Sequence, residues 1–274
     1  MPTQISVHAV TKAYGERLLL DGVTFAISPG ERTGIIGENG SGKSTLLRLL
    51  AGREAPDEGQ VIVTADGGVG YLAQDISLPG HLTVQQVIDA ALADLRAIEA
   101  RLRELEQRLA AGNEADFEAD LIEYGNLATV FELRGGYDAD ARVERAMHGL
   151  GLATVDRARP LGGLSGGEQA RVHLASVLAA NSEVLLLDEP TNHLDDAALT
   201  WLEDHLRARR GTTVVVSHDR VFLERVATSL VEVDADRRTL VRYGGGYAAY
   251  LEEKAAARQR WEQEYEQWRA EIDR

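Results

Sequence analysis

The chain has 274 residues, 44% of them hydrophobic and 27% charged, and its formal net charge is −15 with a pI near 4.9. That length buries one large core, or a core with a smaller attached unit. The acidity argues against gross adhesion to nucleic acid or an anionic membrane, though not against a local basic surface, and the lack of cysteine removes disulfides and thiol catalysis while allowing a reducing compartment.

From its start the chain reads as non-membranous. The segment "MPTQISVHAV" lacks the basic stretch and apolar run of a signal peptide, and no apolar run reaches the roughly 18 residues that span a bilayer. If a membrane is involved, another chain supplies it. Lysine stands only at Lys12, Lys43 and Lys254 among many arginines, the signature of a high-GC genome, which makes Lys43 conspicuous.

Arg32 to Ile36 predicts a short buried strand, and Gly37 to Ser44 then fits G-x-x-x-x-G-K-[ST]. "STLLRLLAG" continues as a helix closed by Gly52. Gly37, Gly40 and Gly42 let the backbone curl so that consecutive N–H groups face phosphate oxygens, and the helix N-terminus adds its positive end. Lys43 then reaches the β- and γ-phosphates, and the Ser44 hydroxyl ligates Mg²⁺. Glu38, Asn39, Ser41 and Thr45 complete the candidate cradle.

Further along, Leu95, Ile98, Leu102, Leu105 and Leu109 recur at steps of three and four, the seam of a packed helix pair. "AAGNEAD" interrupts, and Phe117, Leu121, Tyr124, Ala128 and Phe131 resume the spacing. Glu99 with Arg103 and Glu104 with Arg108 support the first helix, which from residue 92 to 109 extends about 27 Å. An antiparallel helical hairpin is expected. Arg96, Arg101, Arg103 and Arg108 are expected to give it local basic character, so that added salt weakens its contacts.

"LSGGEQARVHLASVLA" places Ser165, Gly166 and Gly167 at the start of a long helix, a second anion-binding terminus without a lysine. One phosphate site hardly needs two cradles, so this one suits another nucleotide. "VLLLDE" is an apolar run suited to a strand buried on both faces, which delivers ligands at its carboxyl end. Asp188 would hold Mg²⁺ and Glu189 would polarise the attacking water. His193, with no other metal ligands nearby, reads as a turn residue. After the glycines of "YGGGYAAYL" comes a charged helix with Trp261, Tyr265, Trp268 and Ile272 on one face. It runs to Arg274 without a stop signal, so the natural chain is expected to continue.

Taken in order, the P-loop, "LSGGE", "LLLDEPTNHLD" and "VVVSHD" resemble an ABC-type ATPase cassette over most of the chain. The resemblance implies an α/β P-loop NTPase fold with an antiparallel β subdomain and a helical subdomain, here carrying an inserted hairpin arm. Residues 1–81 and 160–246 would form the ATPase core, 82–159 the helical subdomain with its arm at about 92–133, and 247–274 the start of a linker helix. It further implies that Gln74 contacts Mg²⁺ and senses the γ-phosphate, that His218 orients the attacking water, that Asp195 lies at a dimer seam, and that Tyr14 is the platform for adenine. Lys43, Glu189 and His218 would carry catalysis. Ser165, Gly166, Gly167 and Glu168 would serve a partner's nucleotide; Glu168 stands where transporter cassettes often have glutamine.

The hairpin, "EPTNHLD" and the glycine-rich exit into a charged helix resemble the first cassette of an ABC-F protein. That implies a soluble cytoplasmic protein using ATP and Mg²⁺, with a second cassette (in the same chain, or a weak homodimer for this piece) completing the site. Hydrolysis by the isolated cassette would be slow. It also implies the ribosome and its RNA as partners, in antibiotic resistance or as a housekeeping translation factor. The rival is the ATPase subunit of a transporter with separate membrane chains, which shares every catalytic residue but not the hairpin and tail.

Overall fold

The computed structural model describes residues 3–74, 78–111 and 116–272. They fall into two units, one of Met1–Thr64, Leu186–Pro190 and Leu206–Arg274, the other of Ala65–Leu185 and Thr191–His205. Among the described residues no helix is long and apolar enough to cross a membrane.

The first unit holds two sheets. In the smaller, β1 (Ile5–Tyr14) lies between β2 (Arg17–Ile27) and β4 (Glu58–Val63), antiparallel to both. Ile5 and Val7 point into the core on alternate positions, and a break in register before Val10 shifts the alternation, so Val10 is buried as well. The larger sheet runs in the order β6 (Val184–Asp188), β7 (Thr212–Val216), β3 (Arg32–Gly37), β8 (Ser229–Asp234), β9 (Thr239–Gly244). β3 is parallel to β7 and β8, and β9 closes the edge antiparallel to β8. β6 and β7 are buried at every position, which explains their unbroken runs without polar alternation.

The helix after the P-loop, α1 (Lys43–Leu50), ends as expected at Gly52. Gly52 has a positive φ, its N–H bonds to Leu49 O, and the N–H of Arg53 bonds back to Arg48 O, which together satisfy the last carbonyls. The short α8 (Arg220–Val226) is capped by Asp219. The last helix, α9 (Tyr247–Ile272), is held at its start. Tyr250 packs on Ala227 and Leu230, its hydroxyl and that of Tyr243 each donate to Glu232 at 3.0 Å, and Lys254 pairs with the same carboxylate. The side chains of Trp261, Trp268 and Ile272, expected on one face, lie outside what the structure describes, and Tyr265 is exposed.

In the second unit β5 (Val69–Leu72) runs beside the first residues of β6. α2 (Val84–Ala91) starts with a reciprocal cap between Thr83 and Gln86. The hairpin follows as α3 (Ala93–Ala111) and α4 (Phe117–Leu133), then α5 (Ala139–Gly149), α6 (Gly166–Ala179) and α7 (Asp196–Ala208). Part of the interrupting segment, residues 112–115, lies outside the described residues.

The hairpin forms, and the expected seam holds at Tyr124, Ala128 and Phe131 but not over the first turns of α4. Leu95, Leu102, Leu105 and Phe131 are buried, whereas Phe117 and Leu121 are exposed. Asp120 is buried instead, because it pairs with Arg108 across the helices at 2.9 Å. The expected bond of Arg108 to Glu104 is therefore not made; Glu104 pairs with Arg101 at 2.8 Å, while Glu99 does meet Arg103. The four arginines of the expected basic patch pair with carboxylates while staying partly exposed: Arg96 with Glu99 and Asp140, Arg101 with Glu104 and Glu123, Arg103 with Glu99, and Arg108 with Asp120.

Candidate functional site

The first unit gathers the P-loop with the ends of β6 and β7. Gly37, Gly40 and Gly42 all have positive φ. At Gly37 a side chain has no room in any case, since a Cβ would stand 2.7 Å from Val233 O and 2.8 Å from Ser41 Oγ. Glu38, Asn39 and Gly40 form the exposed rim; Ser41, Lys43 and Thr45 are buried and Ser44 is half-buried. Lys43 lies back along the loop, donating to Gly37 O at 2.9 Å and Glu38 O at 2.8 Å. Burial lowers its pKa, and the nearby Glu189 and Asp188 partly restore it. Among the described residues the buried Ser41 hydroxyl has no hydrogen-bond partner.

β6 delivers Asp188 and Glu189 to its end, both buried. Glu189 adopts a left-handed backbone, φ 50°, a conformation costly for a residue with a side chain. Its N–H is fixed to Val216 O at 2.9 Å. Its carboxylate accepts the His218 N–H at 3.3 Å and lies 3.2 Å from His218 Nε2. Burial raises the Glu189 carboxyl above its ordinary range, and Asp188 adds to this; His218 and Lys43 oppose it. A buried acid kept basic beside an imidazole can accept a proton. The aspartate of "SHD" has a different task. Asp219 accepts the N–H groups of Val221 and Phe222 at 2.9 and 3.0 Å and so starts α8 directly after His218.

Tyr14 ends β1, 45% exposed, where a nucleotide base could stack. Its hydroxyl donates to Glu54 and accepts from Arg48 at 3.2 Å, which fixes the ring. At the β2 end of the same turn, Arg17 donates to Gly40 O at 2.8 Å, a contact that no sequence motif signals.

The remaining candidates belong to the second unit. Gln74 is an exposed residue in a bend after β5. Ser165 caps α6: it accepts the Glu168 N–H at 3.3 Å, while Glu168 accepts the Ser165 N–H and hydroxyl at 2.8 and 2.7 Å. The glutamate that departs from the transporter pattern thus completes a reciprocal cap. Gly166 and Gly167 form the first turn of the helix. His193, with φ 65°, comes within 3.5 Å of where a Cβ on Gly167 would stand. Asp195 accepts the Ala198 N–H at 2.8 Å and starts α7.

The family model described as "ABC transporter" matches residues 20–192. The chain is 55% identical over 273 residues to the tylosin resistance ATP-binding protein TlrC of Streptomyces fradiae, covering 99% of this chain and 50% of that protein. It is 38% identical to the energy-dependent translational throttle protein EttA of Mycobacterium tuberculosis, covering 90% of this chain and 43% of that one. The chain thus spans about half the length of the curated relatives it matches. A solved ATP-binding subunit of an ABC transporter superposes with a TM-score of 0.66 at 18% identity, over 88% of this chain and 90% of that one, which shows a shared fold. The chain belongs to the ABC transporter family of ATP-binding cassettes.

Proposed function

We propose that this chain binds Mg²⁺–ATP at the P-loop and hydrolyses it slowly, as one cassette of a protein acting on the ribosome in resistance to ribosome-targeting antibiotics. The observation that carries the chemistry is Glu189, strained, buried and held by His218, beside Lys43 and Asp188. Lys43 would leave the Gly37 and Glu38 carbonyls for phosphate oxygens, Tyr14 would stack on adenine, and the N–H groups from Gly37 to Thr45 would cradle the phosphates. The donor set suits Mg²⁺, which needs few protein ligands beside phosphate and water: Ser44 and Asp188 would hold it, with Gln74. Bound there, the ion would offset phosphate charge. Glu189 would take the proton of the attacking water, and His218 would orient that water.

Ser165, Gly166, Gly167 and Glu168, with Asp195, would serve the nucleotide of a second cassette, in the same protein or in a weak homodimer. In domain terms we assign the ATPase core to 1–81 and 160–246, the helical subdomain with its arm to 82–159, and the start of a linker to 247–274. The 55% identity to a tylosin resistance protein supports the resistance role. The 38% identity to a translational throttle protein supports a translation-factor role as second reading. Calorimetry with Mg²⁺–ATP tests the site: Lys43→Ala should lose most of the affinity, and equal affinity would remove the P-loop assignment.

A further inference from the structure

β2 carries the P-loop on one of its faces. Arg17 and Leu19, two residues apart and so on the same side of the strand, both meet the loop. A Cβ on Gly40 would stand 3.2 Å from the Arg17 guanidinium, and one on Gly42 would stand 3.6 Å from Leu19 Cβ. Arg17 is exposed, and its hydrogen bond to Gly40 O uses one of its five N–H donors. Among the described residues it has no carboxylate partner, unlike Arg48 nearby, which is held by Glu54. Arg17 is also the register partner of Tyr14 across the β1–β2 turn. Its guanidinium therefore stands between the aromatic end of that turn and the middle of the phosphate-binding loop.

The loop needs such a cation. A nucleoside triphosphate brings several negative charges to a place where Asp188 and Glu189 are already buried. Lys43 is the only basic side chain within the loop itself. An arginine already seated at the rim, with spare planar donors and no acid to satisfy, meets that need at small conformational cost.

We propose that Arg17 is a second nucleotide-binding cation, which braces Gly40 and donates to the phosphate chain near its ribose end. The proposal rests on the P-loop reading above. Its test is the binding of ATP, ADP and adenosine to wild type, Arg17→Ala, Arg17→Lys and Lys43→Ala forms of the 274-residue chain. Arg17→Ala should bind ATP and ADP about tenfold more weakly, the scale of one charge-assisted hydrogen bond, with adenosine unchanged. Arg17→Lys should recover part of the loss, and the salt dependence of ATP binding should be shallower in Arg17→Ala. Wild-type ATP affinity in Arg17→Ala, with Lys43→Ala defective, would overturn this proposal and leave the P-loop reading standing. An equal loss for adenosine would place the effect outside the phosphate contacts and also overturn it. If both alanine variants kept full ATP affinity, the P-loop reading itself would fall.

Discussion

Glu189 ties stability to pH in a direction opposite to most carboxylates. Burial raises its pKa above the ordinary 4.5, so the folded chain keeps this proton to a higher pH than the unfolded chain does. Its contribution is complete below the unfolded pKa and is lost as pH rises through the folded value. Glu189→Gln carries no such loss. Its melting temperature should exceed that of wild type near pH 7, and the gap should close toward about pH 4. A gap that widened on acidification would show that the His218 contact outweighs burial. The same substitution should keep ATP binding and remove most turnover, since an amide retains the shape but cannot accept the proton. The sequence made this residue legible because the chemistry of phosphate cleavage restricts both its type and its place after an apolar strand. Arg17 was not legible: an arginine opening a strand has no spacing that distinguishes it, and only the packing of Gly40 against it reveals the contact.

At the scale of elements, periodicity found the hairpin but misplaced the first turns of α4. A pattern of three and four counts Phe117 and Leu121 as core, since it weighs apolar residues alone. The pair Arg108–Asp120 instead turns a carboxylate inward and those side chains outward. Phe131→Ala should therefore cost about 3–5 kcal/mol in urea unfolding, since that ring is buried and packs edge-on against Tyr137, 4.9 Å away. Phe117→Ala should stay within about 0.5 kcal/mol. Equal losses would restore the expected seam. A second element contact has no periodic signal at all. A Cβ on Gly149 at the end of α5 would stand 2.2 Å from the Trp201 ring on α7. Gly149→Ala should destabilise by about 1–3 kcal/mol, and adding Trp201→Ala should cost less than the sum of the two single changes, because each relieves the other.

For the molecule as a whole, the charge of −15 was the first clue and the hairpin gives it a local counterpart. Its arginines Arg96, Arg101, Arg103 and Arg108 each pair with a carboxylate, and all four stay partly exposed. The ABC architecture was legible from four ordered motifs because each fixes a backbone shape as well as a chemistry. The anchoring of α9 through Tyr250, Lys254 and Glu232 was not, since it depends on residues brought together from a strand and a helix. The central claim is that one chain supplies the P-loop and a second copy or cassette supplies the Ser165 helix end. Its most direct test is ATPase complementation between Lys43→Ala and Ser165→Arg chains. Each should be inactive alone. Mixed in equal amounts at high concentration, they should recover up to about a quarter of wild-type turnover, because half the dimers carry one intact site of two. Wild-type turnover by Ser165→Arg alone, unchanged on dilution, would contradict the claim.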